Sequence, residues 1–308
     1  MDGLLMTRLP KIHQMKTFLR IIECGSIRAA AVELKQTQPG VTRAIKELEK
    51  TLGCPLFIRG SRGIVLTEMG RVFESRAQLI MKELERAISE IEIINGASQG
   101  AVTLGCSSLL PFTIMSSSIQ RFHRRYPNVK VNITEGQVSE LLPALREGEL
   151  DFIIDAVSSD ITISDITIEP FFKTSAHILT SKKHSLANST SLSDLQYASW
   201  CLPSSKIGYY DKLNSVLFSE NQDTLATVVR SNTMIMALQM VLNESYLTVG
   251  TKEILKVPYF SQDLHSIPLQ EPLPDIEYSF IYSQRFPLTQ IARKFINKLR
   301  FEYEDSQE

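Results

Sequence analysis

The chain is short of the features that mark several large protein classes. Its four cysteines, Cys24, Cys54, Cys106 and Cys201, are widely spaced and form neither a CxxC pair nor a zinc pattern. Free thiols in a reducing cytosol are the expectation. No apolar run approaches the roughly 18 residues of a membrane helix. The opening MDGLLMTRLPKIHQ lacks the apolar stretch and small-residue cleavage site of a secretory signal. GxSxG, HExxH, P-loop and GxGxxG signatures are missing. The five histidines, His13, His123, His177, His184 and His265, form no ligand-spaced cluster. These absences argue against an enzyme, a metal or other cofactor, an exported solute-binding protein and a membrane partner.

What is present is unevenly placed. Residues 1–62 carry 11 Lys/Arg against 5 Asp/Glu, and the remaining residues carry 22 against 29. A basic end on a slightly acidic body points to a polyanion partner for that end. HQMKTFLRIIECGS places Met15, Phe18, Leu19 and Ile22 at helical spacing, with Gly25 as a stop. Ser26 can cap a second helix over IRAAAVELKQ, and QTQPGVTRAIKELEKTLG reads as a third, ended by Gly53. Three short helices with a tight turn between the second and third make a helix-turn-helix pattern. CPLFIRGSRGIVLTEMG then reads as two short extended stretches around a basic tip, a β-wing.

From Thr67 to about Asn95 the residues Phe73, Ala77, Ile80, Leu84, Ala87, Ile91 and Ile94 recur in steps of four and three. This a/d seam predicts a long helix that pairs with another. Asn95-Gly96 and Gln99-Gly100 read as a hinge. Beyond it, strand-helix-strand units such as AVTLGCSS, LPFTIMSSSIQRFHRRYP and VKVNITEG predict an open α/β sheet with crossover helices. A second lobe is expected to begin near Asp165 with a strand hairpin over IEPFFKTSAHILTSKKHSL. The chain thus reads as an α+β multidomain protein. Residues 1–66 would be DNA-binding and 67–96 a linker helix. Residues 97–308 would be a two-lobed domain, one lobe about 97–164 and 268–308 and the other about 165–267.

GSIRAAAVELKQTQPGVTRAIKELEKTLGCPLFIRGSRGIVLTEMG resembles the DNA-binding region of LysR-type transcriptional regulators. The GS-x-x-x-AA-x-x-L helix, the T-Q-P-x-V-T-R-x-I-x-x-LE helix, the G-x-x-LF-x-R segment and the LT-x-x-G run occur in family order and spacing. FHRRYPNVKVNITEG and LREGELDFII are similar to the first effector subdomain. The GYY run at 208–210 is similar to that of regulators of aromatic-acid or amino-acid metabolism. The resemblance implies a winged helix-turn-helix, a dimerisation helix and a C-terminal effector domain of periplasmic-binding-protein type. It also implies a cytoplasmic homodimer or homotetramer that binds double-stranded promoter DNA on the nucleoid, answers a small-molecule effector and, if an activator, meets RNA polymerase.

On the third helix, Thr37 is the expected N-cap, and Pro39 lies where its missing N–H costs nothing. Gln38, Thr42 and Arg43 project from the first turns, where a recognition helix meets base edges. A bare backbone at Gly40 would allow closer approach to DNA. Lys46, Arg28 and Ser26 are expected on phosphate, and the wing residues Arg59 and Arg62 on the backbone or in the minor groove.

In the two-lobed domain, Ser107, Ser108 and Leu109 are expected at the start of a helix beginning near Leu109, and Gln137 at the start of another. Two helix N-termini at the carboxyl edge of a sheet favour an anion, most simply a carboxylic acid. Pro203, Gly208, Tyr209 and Tyr210 form a loop suited to stacking on a ring, with Thr233 as a further lining residue. YLTVGTKEI departs from the G-x-x-LLP run common in the family, so the effector is not carried over from it. Two other readings stay open: a redox-responsive regulator using Cys106, and a small-molecule-binding protein without a transcriptional role.

Overall fold

Helix α1 (Ile12–Cys24) forms because Met15, Phe18 and Ile21 share one face, and all three are buried. Gly25, at φ 67°, ends it in the left-handed region that glycine adopts without strain. The computed structural model describes residues 9–60, 63–94, 100–112, 115–158, 161–204, 207–218 and 227–305. Its contacts divide the chain into two units, 1–88 and 89–308.

In the first unit, Ser26 Oγ accepts from the Ala29 amide at 3.1 Å and starts α2 (Ile27–Glu33). The turn to α3 (Gln38–Leu52) runs through Lys35 at φ 53°, a conformation uncommon for a residue with a side chain. Val41, Ala44, Ile45 and Leu48 of α3 are buried, and Phe18 and Leu56 complete the core. Burying a side chain such as Phe18 contributes about 1.5–3 kcal/mol. The wing is the antiparallel pair β1 (Phe57–Gly60) and β2 (Gly63–Leu66), with Phe57 opposite Leu66. Glu49 on α3 holds its base, because Oε1 accepts from the Leu56 and Phe57 amides at 2.8 and 3.3 Å. Thr67 Oγ1 then accepts from the Gly70 amide at 2.9 Å at the start of α4 (Glu68–Ile94). A Cβ at Gly70 would collide with the Leu56 carbonyl, which explains the glycine that closes the LT-x-x-G run.

The seam on α4 divides along its length. Phe73 packs on Phe18, with ring centroids 5.2 Å apart, and Ala77 is fully buried. Further along, Ile80 and Ile91 are 50% and 58% exposed. The first seam positions therefore serve the helix's own domain, whereas Ile80 and Ile91 are left exposed among the described residues. The expected hinge at 95–99 lies outside the described residues.

The second unit is built on a five-stranded sheet, order β4-β3-β5-β12-β6. Strands β3 (Gly100–Cys106), β4 (Val129–Glu135) and β5 (Phe152–Asp155) run parallel. They are joined by α5 (Met115–Arg125) and α6 (Val138–Arg146). β12 (Ile276–Ser283) lies antiparallel to β5 and to β6 (Ile166–Thr174). The last helix, α9 (Gln290–Asp305), buries Phe295, Ile296 and Leu299. It is tied to α5 by Arg121–Glu302 at 2.7 Å.

The other lobe holds the antiparallel strands β7 (Ala176–Ser181), β10 (Thr248–Thr251) and β11 (Leu264–Ser266). It also holds the parallel pair β8 (Trp200–Leu202) and β9 (Val228–Arg230), and the helices α7 (Tyr209–Leu217) and α8 (Met234–Asn243). One expectation fails here: β6 and β7 do not form a hairpin. β6 pairs along its length with β12, so residues 166–174 belong to the first lobe and the chain enters the second at Ala176 rather than near Asp165. The two lobes share one buried cluster, which joins Ile154, Phe172 and Tyr278 to Ile178, Trp200 and Leu202.

Candidate functional site

The face of α3 opposite its core is polar and exposed. Gln38, Pro39, Thr42, Arg43, Lys46, Glu47 and Lys50 line a groove of about 540 Å³. Thr37 Oγ1 accepts from the Gly40 amide at 3.3 Å, and Pro39 lies in the first turn. A Cβ at Gly40 would stand 3.2 Å from Thr37 Oγ1. The glycine therefore relieves the cap as well as baring the backbone. The Thr42 hydroxyl donates to the Gln38 carbonyl at 2.9 Å, which leaves its methyl group as the freer surface for a thymine methyl. Glu47 is held by Gln14 Nε2 at 3.3 Å, so the one carboxylate of the groove is drawn toward α1. Among the described residues, Arg43, Lys46 and Lys50 have no ion-pair partner. Lys50 was missed from the sequence, though its signal was there: it lies one turn beyond Lys46 on the same face. Arg28 is exposed on the first turn of α2, beside the Ser26 cap. Arg59 stands in β1 opposite Ile64, its side chain outside the described atoms, and Arg62 lies outside the described residues.

At the carboxyl edge of the parallel strands, the residues expected at the effector are mostly buried. Ser107 and Ser108 are 4% and 6% exposed. Where the helix is expected, near Leu109, the described residues hold a 3-10 turn, Leu110–Phe112, and α5 is described from Met115. Leu109 is corrected from a lining residue to a core residue, since it packs among Leu179, Cys201, Met234 and Leu238 of the second lobe.

Gln137 does sit at the start of α6, but the protein's own carboxylates satisfy that helix N-terminus. Glu140 Oε2 accepts from the Gln137 amide at 3.0 Å, and Asp155 Oδ2 accepts from Val138 at 2.6 Å. Asp155 Oδ1 accepts from Ala156 at 2.7 Å. Asp155 was missed because FIID reads as the end of a buried strand, and the amide it holds comes from a helix 17 residues earlier.

Burial pushes the Asp155 carboxyl up to about 6, against the opposing pull of the Ala156 and Val138 amides. The native chain then holds this proton more tightly than the unfolded chain between the ordinary 3.8 and about 6. The group's contribution to stability is greatest in acid and falls, by about 3 kcal/mol, as pH rises through that window. An Asp155→Asn chain has no such slope. Urea titrations of both chains from about pH 4 to 7 should show the Asn chain gaining on the native one by that amount; parallel curves would contradict the burial of an ionised group.

In the second lobe, Pro203 is buried and its carbonyl accepts from Arg230 at 3.4 Å. Gly208, at φ 93°, has its Cα so close to Ala156 that a Cβ would stand 2.6 Å from that carbonyl. The Tyr209 amide donates to the same carbonyl at 2.9 Å and stitches α7 to the end of β5. Tyr210 is 5% exposed and lies beside Tyr209, ring centroids 5.4 Å apart. This is core packing rather than an open stacking surface. Thr233 caps α8, accepting from Met236 at 3.4 Å, and is exposed. The N-termini of α6 and α8 are joined, since Asn232 Nδ2 donates to Glu140 Oε1 at 2.6 Å.

Of the expected residues, Gly208 and Tyr209 line a cavity of about 170 Å³, together with Ala156, Ser158, Lys173, Lys212, Pro274, Asp275 and Glu277. Ser107, Ser108, Leu109, Gln137 and Thr233 are not among its walls. Burial pushes the Cys106 thiol up to about 12, with Glu135 and Asp155 adding to the effect. A thiol held protonated is a poor redox sensor. No helix among the described residues is long and apolar enough to cross a membrane, and no group of His, Cys, Asp or Glu among them could hold a metal ion.

Residues 12–71 match the family described as "Bacterial regulatory helix-turn-helix protein, lysR family", and residues 95–303 match the "LysR substrate binding domain". The chain is 32% identical to the HTH-type transcriptional regulator TdcA of Escherichia coli over 284 residues, 92% of this chain and 90% of that protein. It is 26% identical to MetR of Escherichia coli over 191 residues, 61% of this chain and 58% of that one. Among solved structures, full-length CbnR complexed with target DNA is similar at TM-score 0.68 and 18% identity, covering 95% of this chain and 99% of that one. A full-length OxyR variant from Pseudomonas aeruginosa is similar at TM-score 0.67 and 19% identity, covering 94% of each. These two likenesses bear on the fold alone. With both halves matched in order and one relative aligned along nearly its whole length, the chain belongs to the LysR family of transcriptional regulators.

Proposed function

We propose that the chain acts in the cytoplasm as a homodimer or homotetramer that binds promoter DNA through α3 and the wing, and that a small carboxylic acid in the cleft of the second unit sets its activity. The observation that carries the DNA reading is the row Gln38, Arg43, Lys46 and Lys50 on the exposed face of a helix whose first turn is capped and stiffened. Such a face offers donors to a purine edge and charge to phosphate. A gel shift with the chain's own upstream DNA tests it, and equal binding to scrambled DNA of the same length would sink it. The effector is a separate matter: an acid present at about 100 times its dissociation constant should stabilise the fold by about 2.7 kcal/mol in a thermal-shift screen. RNA polymerase is a partner if the regulator activates.

Pairing is supported by the exposed apolar seam of α4. An Ile80→Glu, Ile91→Glu double variant should sediment as a monomer where the native chain sediments as a dimer or larger. Charges in an a/d seam oppose association. An unchanged mass with a folded helical spectrum would place the dimer contact elsewhere.

A further inference from the structure

The backbone around Leu56 is gripped from two sides, by the recognition helix and by the start of the long helix. On one side, Glu49 Oε1 of α3 accepts from the Leu56 amide at 2.8 Å and from the Phe57 amide at 3.3 Å. On the other, the Thr67 amide donates to the Leu56 carbonyl at 2.9 Å. The Thr67 hydroxyl donates chiefly to the Pro55 carbonyl, at 2.8 Å against 3.3 Å to that of Leu56. The same oxygen accepts from the Gly70 amide at 2.9 Å, in the first turn of α4. Leu56 is fully buried, and a Cβ at Gly70 would collide with its carbonyl, so no slack separates α4 from this junction.

The polar contacts add what apolar packing does not supply. Phe73 on Phe18 holds α4 close to the domain, but hydrophobic contact is non-directional and sets no angle. Hydrogen bonds weaken steeply when bent, so the bonds to Leu56, Phe57 and Pro55 fix the direction in which α4 leaves. In a pair joined through α4, that direction sets the separation and the rotation of the two α3 helices. B-DNA completes a turn in about 10–10.5 base pairs and 34–36 Å. One base pair added between two half-sites therefore moves one of them by about 3.4 Å and rotates it by about 34°. A DNA-binding domain that swivels on α4 follows this change, and a rigidly mounted one does not.

We propose that Glu49 and Thr67 are positioning residues that act through Leu56 to mount the DNA-binding domain rigidly on α4, and that this mount makes the regulator select the spacing between half-sites. The inference rests on the pairing read from the α4 seam above. It separates two kinds of specificity: the exposed row on α3 reads which bases are present, and the mount reads how far apart they lie.

The test titrates the full chain with its own upstream DNA and with versions that have one base pair inserted at, or deleted from, the centre of the footprint. The readout is the ratio of the dissociation constants on altered and native spacing. For the native chain it should be about tenfold or more, the order of a lost base contact. Thr67→Val keeps the branched shape and loses the hydroxyl, and Glu49→Met keeps the length and loses the acceptor. Each should bring the ratio close to unity. Thr67→Ser and Glu49→Gln return a hydroxyl and an acceptor and should keep the native ratio. A substitution that only weakens the domain lowers both affinities in proportion and leaves the ratio alone. The two loss variants cut opposite sides of the junction, so one that folds, as judged by its thermal melt, is enough. A native ratio in every loss variant that folds overturns the mount, and so does a ratio lost equally in the Ser and Gln variants. Sedimentation separates this from the pairing reading. A native chain that sediments as a monomer overturns both, whereas a native dimer indifferent to spacing overturns the mount alone.

Discussion

Arg43→Ala should weaken binding to the cognate site by about 10- to 100-fold and leave binding to unrelated DNA nearly unchanged. One good bidentate contact to a purine edge is worth about 1–3 kcal/mol of discrimination, and each 1.4 kcal/mol is a factor of ten. Arg43 stands on the exposed face of α3, two residues after Val41 and one before Ala44, both buried. Its neighbours in the core fix the direction in which it projects. Lys46→Ala should behave differently, lowering affinity for all sequences and reducing the slope of affinity against salt by about 1. Gel shifts at several salt concentrations on cognate and scrambled duplexes read both effects. If the two variants lose specific and non-specific binding in the same proportion, α3 positions the protein but does not read bases.

The second large effect belongs to Asp155. Asp155→Ala should destabilise the second unit by about 2–4 kcal/mol at neutral pH. Two backbone donors, Val138 and Ala156, lose their acceptor in a buried setting, at about 1–3 kcal/mol each, and relief from burying the charge offsets part of that. Hydrogen exchange gives the local readout: the Val138 and Ala156 amides should lose protection before the rest of the sheet. Asp155→Asn keeps one acceptor and should cost less than Ala. Equal stability of all three chains in urea would mean that the two amides find other partners.

How far the sequence could be read depended on how local each interaction is. The α3 helix was legible because its determinants lie within a few residues of one another: the Thr37 cap, Pro39 in the first turn, buried Val41, Ile45 and Leu48, and the Gly53 stop. The wing was legible for the same reason. The β6 strand was placed in the wrong lobe because its partner is β12, about a hundred residues away, and no turn chemistry near 175 announces that pairing. LGCSSLL reads as a strand running into a helix, which puts Leu109 at the lining of the site. Its burial is set by α8 and β7 of the other lobe, which no local pattern reveals. Asp155 was invisible on similar grounds: a carboxylate at the end of an apolar run looks like a surface residue until the helix it caps is in place. The cavity's charges come from three separate stretches, 173, 212 and 275–277, so no motif could have assembled them.

The pairing of β6 with β12 has a mechanical consequence. The chain leaves the first lobe after Thr174 and returns at Ile276, and these two residues face each other in the ladder. Both crossings therefore leave the first lobe at the same rung, so the lobes are joined by a doubled strand and not by a single tether. Lys173 and Glu277 are direct partners in that ladder and are also linked side chain to side chain at 3.3 Å. Away from this joint, Asn232 Nδ2 of the second lobe donates to Glu140 Oε1 of the first at 2.6 Å. The second lobe is thus moored to the first like an inserted cassette, with its entry and its exit side by side.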